Sequence, residues 1–263
     1  AGGGTPFELS VVNALWGQQD YQFLEKYLDL IAQYYGAGIR LVDFEKNADG
    51  SRQQINQWVA DQTRDRIKDL IPQGAIDSLT RLVLTNAIYF KAGWRYPFEK
   101  EETTAEPFHL LDGTTVDVQT MHLKEDLGYA LRDQYKALEL PYEDGGVSMV
   151  FILPDEGQFE TVEDRLSAEL LTEITENLKT GQVNLALPKF EFDSEFNLNQ
   201  ALIDLGMIDA FDAGKADFSG MTGTRDLFIT DAIHKAYIGV DENGTEAAAA
   251  TAVVMGLTAM MPS

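Results

Sequence analysis

The chain contains no cysteine. A disulfide framework, a thiol nucleophile and a cysteine-ligated metal are therefore excluded. Compartment stays open, because a chain of this size can be stabilised by its core alone; an extracellular or periplasmic location is the expectation, with the cytoplasm as the alternative. Basic residues are scarce, with 20 Lys and Arg against 43 Asp and Glu, for a net charge of −23. Such a surface repels nucleic acid and anionic membranes, so neither is an expected partner. No block of six like charges occurs, and the acidity reads as a dispersed solvated surface suited to solubility or a saline habitat. A basic protease as partner is the sharper alternative. No apolar run approaches the ~20 residues of a membrane-spanning helix, and no basic, apolar leader precedes the loop-like Ala1-Gly2-Gly3-Gly4. Histidine is limited to His109, His122 and His234, which lack metal-ligand spacing. No G-x-S-x-G elbow accompanies the serines. Neither an enzyme nor a bound metal or cofactor is expected.

What is present is a chain of 263 residues, 44% hydrophobic, enough for a sizeable core. Residues 7–16 read as a strand, and 21–35 as a helix with Phe23, Leu24, Tyr27, Leu28, Leu30, Ile31 and Tyr34 on one stripe. Residues 38–44 alternate like a short strand. Residues 47–63 read as an amphipathic helix capped by Asn47 or Asp49. Residues 81–94 are nearly continuously apolar, as in a strand covered on both faces. Short strands follow: 108–110 and 115–119 around an Asp112-Gly113 turn, then 129–131, 137–141 and 147–153. Residues 159–178 are helical, 182–192 extended, 197–205 helical, and 227–240 a last long strand before a polar turn at 241–244. No regular strand-helix period or internal repeat appears, so the class is α+β with largely antiparallel sheets in one domain.

Residues 242–263 behave differently. Glu246 and the alanines 247–250 favour helix, whereas Thr251, Ala252, Val253 and Val254 favour strand. Such a conflict is unusual in a segment with one permanent place, and natural in one with two. As a loop it must be mobile. As a strand entering an existing sheet it must be small. Thr245, Ala247, Ala249, Thr251, Val253 and Met255 would make the core-facing row, leaving Glu246, Ala248, Ala250, Ala252 and Val254 to face outward. By itself this stretch could equally be an Ala-rich linker.

Glu242-Asn243-Gly244-Thr245-Glu246-Ala247-Ala248-Ala249-Ala250-Thr251 resembles the reactive-loop hinge of the serpins. Thr85-Asn86-Ala87-Ile88-Tyr89-Phe90-Lys91-Ala92-Gly93-Trp94, followed by Pro97-Phe98, resembles that family's central strand. Leu187-Pro188-Lys189-Phe190, Leu205-Gly206-Met207, Ala216-Asp217-Phe218-Ser219-Gly220 and Ile233-His234-Lys235-Ala236 occur in the family's order and spacing. The resemblance implies a single serpin domain of three mostly antiparallel sheets surrounded by helices, of a prokaryotic member. Against that pattern the sequence is expected to lack the first helices and the last strands, and its own N- and C-terminal fragments are expected partners.

The resemblance further implies a single-use inhibitor of serine or cysteine endopeptidases, acting as a monomer. The protease attacks a bait bond and forms an acyl-enzyme. The cut loop of 242–263 then enters the large sheet as a new strand. About sixteen residues at ~3.3 Å each would carry the protease on the order of 50 Å. By the same resemblance the hinge is Glu242, Gly244, Thr245, Glu246, Ala247, Ala248, Ala249, Ala250 and Thr251. Asn86 and His234 form the gate where the sheet opens, for which the plain alternative is a satisfied core histidine. Trp94, Lys189 and Glu242 form the group at the top of the sheet, for which a surface ion pair is the alternative. The bait bond falls at Thr258-Ala259, so elastase-like or subtilisin-like targets are expected. A heparin-like cofactor does not suit the acidic surface. The rival reading is a serpin fold serving as chaperone, storage or carrier protein, which bulky or charged hinge residues would have favoured.

Overall fold

A computed structural model describes residues 7–35, 38–143 and 145–257. Packing divides the chain into two compact units. One consists mainly of Lys91–Glu191 with Gly239–Glu246; the other of Leu9–Phe90 and Phe192–Ile238 with the chain from Ala247 onward.

The second unit is built on a six-stranded sheet with strand order β2-β1-β3-β11-β10-β9. These strands are β1 (Glu8–Gln18), β2 (Ile39–Val42), β3 (Thr80–Gly93), β9 (Phe190–Asn197), β10 (Leu227–Val240) and β11 (Gly244–Leu257). The loop segment of the sequence is thus an interior strand, hydrogen-bonded between β3 and β10. Helix α1 (Glu25–Tyr35) follows the apolar stripe, starting later than its pattern predicts. Helix α2 (Phe44–Gln62) begins earlier: Asp43 accepts from the Lys46 N–H, and the chain kinks at Asn47. The Asn47 side chain then accepts from the Gly50 N–H, so the expected cap opens the second stretch of the helix.

Both faces of this sheet are covered. On one, Trp16, Val83, Ala87, Tyr89, Ile233 and Tyr237 cluster with Phe44, Ile55 and Val59 of α2 and with Ile67, Leu70 and Ile71 beyond it. On the other, Leu15, Leu82, Leu227, Ile229 and Met255 pack with Tyr27, Leu28 and Ile31 of α1. One expectation is corrected here. Ala248, Ala250, Ala252 and Val254, assigned to an outward row, are at most 2% exposed and belong to the cluster under α2. The reason is placement: an interior strand covered on both sides has no outward row. The other row, with Val253 and Met255, meets the cluster on the α1 side.

The first unit holds a five-stranded sheet of β4 (Thr104–His109), β5 (Thr115–Leu131), β6 (Tyr135–Pro141), β7 (Ser148–Pro154) and β8 (Lys179–Pro188). The predicted hairpin closes at His109 opposite Thr115, with Gly113 in the left-handed region. Thr120 pairs with both Thr104 and Pro188, and Gly128 with both Glu139 and Thr180. Strands β4 and β6 therefore share one edge of β5, with β8 on the other. Among the described residues the strands thus form two sheets, one of six strands and one of five. Behind the sheet, the predicted helix of 159–178 divides into α3 (Phe159–Glu163) and α4 (Ala168–Glu176), the latter capped by Ser167. Val162, Leu170 and Ile174 pack there against Ala130, Tyr135 and Ala137. The extended stretch of 182–192 likewise breaks at Lys189, between β8 and β9. In the second unit, α5 (Asn199–Asp204) lies within the predicted 197–205, and β10 occupies the whole of the predicted 227–240.

Candidate functional site

The hinge starts from a turn whose geometry is set by its own residues. Asp241 closes it: its N–H donates to the Gly244 carbonyl at 3.0 Å, and its carboxylate accepts from the N–H groups of Asn243 and Gly244. Gly244 is required for space. A Cβ there would collide with the Ala92 carbonyl oxygen and lie 2.9 Å from the Gly93 Cα. The end of β3 is laced to this turn by the Trp94 N–H donating to the Asn243 carbonyl and the Phe98 N–H donating to that of Glu242, both at 2.9 Å. The Trp94 indole donates to the Asp241 carbonyl at 2.9 Å.

Of the group named from the resemblance, Lys189 and Glu242 are in direct contact, and Trp94 bonds to Asp241 and Asn243 on either side of Glu242. Lys189 Nζ lies 2.8 Å from Glu242 Oε2, and Thr103 donates to Glu242 Oε1 at 3.1 Å. Burial pushes the Glu242 carboxyl up. The hydrogen bond from Lys189, its own backbone N–H and the bond from Thr103 outweigh that and hold it below the ordinary carboxylate value. The hydrogen bond to Glu242 likewise holds the Lys189 ammonium above its usual range. The pair is lopsided, with the glutamate side chain 6% exposed and the lysine 44%. It is therefore neither a free surface bridge nor a fully buried one.

One participant was not legible in the sequence. Tyr142, just past β6, stacks on Trp94 with ring centroids 4.7 Å apart and planes 8° from parallel. Its hydroxyl donates to Thr245 Oγ1 at 2.9 Å in a buried position. Burial pushes the phenol above its ordinary value, and the bond to Thr245 offsets part of that, so the hydroxyl remains a donor at neutral pH. Thr103 was missed as well. The only signal for either is chemical type, since their partners are a hundred or more residues away in the chain.

The expected gate residues lie in the second unit on β3 and β10, the two strands that flank β11. Each has its own partner. His234 Nδ1 is 2.8 Å from Thr251 Oγ1, a hinge residue. Asn86 donates to Asn13 Oδ1 on β1 at 3.0 Å. Nearby, the Trp16 indole donates to Thr85 at 2.9 Å. Glu246, Ala247, Ala248, Ala249 and Ala250 lie between the two sites along β11. Thr258 and Ala259 lie outside the described residues.

Comparison with known proteins agrees with this arrangement. The family model described as serpin (serine protease inhibitor) matches residues 3–263. Over 258 residues the chain is 45% identical to an uncharacterized serpin-like protein of Thermococcus kodakarensis, covering 98% of this chain and 59% of that protein. Over 268 residues it is 41% identical to human leukocyte elastase inhibitor, covering 98% of this chain and 71% of the relative. Among solved structures, emu ovalbumin (Dromaius novaehollandiae) matches with a TM-score of 0.93 at 33% identity, covering 98% of this chain and 67% of that one. A structure described as cleaved Serpin 42Da matches at 0.89 and 36% identity, covering 95% and 68%. The chain thus spans about three fifths to seven tenths of these proteins. The hinge motif, the strand it forms between β3 and β10, and a family match over nearly the whole sequence lead to one assignment: the chain belongs to the serpin family.

Proposed function

We propose that this serpin is a suicide inhibitor of endopeptidases, which traps the acyl-enzyme by inserting its cleaved reactive loop between β3 and β10. The observation that carries this reading is β11: a segment with the hinge sequence lies between β3 and β10. Its size fits that place. Ala248, Ala250, Ala252 and Val254 fill the space under α2 with no side chain larger than valine, so the strand enters without displacing the packed residues on either side. In an inhibitor of this kind the protease's nucleophile forms an ester with the carbonyl at the bait bond. Strand insertion then carries that ester away from the loop's exposed position before water completes hydrolysis.

For the target we favour serine proteases that accept small residues, of the elastase or subtilisin type. Two points support this: the loop offers Thr258-Ala259 and no Lys or Arg in 255–263, and several relatives are named leukocyte elastase inhibitors. The test mixes the intact protein with elastase, subtilisin and papain and looks for adducts that survive SDS. The released C-terminal peptide is sequenced in the same experiment. An adduct with elastase or subtilisin and a peptide beginning at Ala259 are expected. Cleavage by all three without any adduct would overturn the inhibitor reading and favour a chaperone, storage or carrier role. An adduct whose peptide begins elsewhere would move the bait bond alone.

A further inference from the structure

Tyr142 has no part in the mechanism above, yet its hydroxyl meets the first side chain of the inserted strand. We propose that Tyr142 is a positioning residue for loop insertion: it receives Thr245 in the first step and so biases the cleaved loop toward entry and away from hydrolysis. This rests on the inhibitor reading above.

Three observations carry it. First, Tyr142 is fixed by groups that lie outside the reactive loop. Its ring stacks on Trp94, its N–H donates to the Val147 carbonyl at 3.1 Å, and the neighbouring Glu143 N–H donates to the Gly93 carbonyl at 2.9 Å. The seat is thus organised by residues just after β3 and β6 and just before β7, not by the strand that fills it.

Second, Thr245 is the first side chain beyond a fixed turn. The chain from Asp241 to Gly244 is closed by Asp241, and Gly244 passes the Ala92–Gly93 backbone with no room for a side chain. The next residue has little choice of position, and its hydroxyl falls 2.9 Å from that of Tyr142.

Third, both partners are buried. Thr245 is 3% and Tyr142 3% exposed, so water cannot replace the bond if either hydroxyl is removed. This bond differs from the Glu242–Lys189 pair, which holds the turn before the loop begins.

The test uses the intact protein and the protease with which it forms adducts, comparing Tyr142→Phe, Thr245→Val, the double variant and Thr245→Ser. The readout is the ratio of hydrolysed to trapped inhibitor, alongside the rate of loop cleavage. Tyr142→Phe keeps the ring and its stack on Trp94, so the fold is preserved. Each of Tyr142→Phe and Thr245→Val should raise the ratio roughly two- to tenfold, the change expected for one buried hydrogen bond, at an unchanged cleavage rate. The double variant should be no worse than either single one, because both remove the same bond. Thr245→Ser should stay within about twofold of the parent, since it keeps the hydroxyl.

An unchanged ratio in Tyr142→Phe overturns the proposal. So do additive effects in the double variant, or a thermal midpoint that falls equally in the uncleaved and cleaved forms, which would make Tyr142 a general core residue. These outcomes leave the inhibitor reading standing as long as the parent protein traps its protease. If the parent is cut without trapping, the inhibitor reading fails and this proposal falls with it.

Discussion

The two compact units hold the same strand in different ways. In the first unit, the residues that open β11 are placed by individual polar contacts: Asp241 on the turn, Lys189 and Thr103 on Glu242, Tyr142 on Thr245, and a glycine against the Ala92 carbonyl. In the second, Ala248, Ala250, Ala252 and Val254 are placed by burial among apolar side chains, with Thr251 on His234 as a polar fastening. The start of β11 is therefore specified by chemistry and its body by size. A polar contact has a direction and fails when one atom is changed. A size limit tolerates exchange among small residues and fails only when volume is exceeded.

The strongest attempt to break this contrast is Thr245→Arg. A guanidinium at a position 3% exposed has to be buried beside Tyr142, at a cost of several kcal/mol. Adduct formation should be lost while loop cleavage continues, as seen by SDS gels of protease mixtures. An SDS-stable adduct from this variant would refute insertion as the trapping step. Next in size is Gly244→Ala, whose Cβ would meet backbone atoms that cannot move aside. About 1–3 kcal/mol of overpacking is expected, measured as a lower denaturation midpoint of the loop-cleaved form.

Within the body, Ala250→Leu and Ala249→Leu compare a residue that is 0% exposed with a partly exposed neighbour on the opposite face. The Ala250 change should cost about 1–3 kcal/mol in the cleaved form and the Ala249 change distinctly less. Equal effects would mean that the row beneath α2 is not the tighter one.

The smallest effect concerns pH. The Glu242 carboxyl is held below its unfolded value of ~4.3. Its contribution is therefore present above that pH and lost as pH falls through the lower folded value. Lys189 is held above its unfolded value, so its contribution is present below ~10.4 and lost as pH rises through the higher folded value. With the lysine side chain 44% exposed, the pair is worth about 1 kcal/mol or less. Glu242→Gln should reduce the acid-side fall in the cleaved form's midpoint, as followed by thermal melts from pH 6 downward. An identical acid limb in both proteins would mean that the pair does not hold the start of β11.

Much of the fold could be read locally. The apolar run of 81–94 is an interior strand, the Asp112-Gly113 turn is a hairpin, and β10 fills its predicted span. These signals are periodicity, turn chemistry and β-branched content, all carried by neighbours in the chain. Boundaries failed where chain chemistry interrupts a pattern, as at Asp164–Ser167 between α3 and α4 and at Lys189 between β8 and β9. The assignment of rows in β11 failed for another reason. Alternation tells which residues share a face, but a strand covered on both sides gives no composition signal for which face is tighter. Of the site, Trp94, Lys189 and Glu242 were named from motifs; in the structure Lys189 and Glu242 form an ion pair, and Trp94 bonds to the adjacent Asp241. Tyr142 and Thr103 carry no local mark of their role.

The sequence alone determined that residues 247–254 are small enough to be a strand inside a packed sheet, and that their local preferences do not commit them to one conformation. It also carried the motifs that identify the serpin family. Tertiary structure alone decided that this strand lies between β3 and β10, that its alanines 248, 250 and 252 face α2, and that Thr245 meets a tyrosine 103 residues away. The physical reason is range. Propensity, alternation and side-chain volume belong to a residue and its near neighbours, whereas burial on a given face and the partner of a buried hydroxyl depend on which distant segments the fold brings alongside.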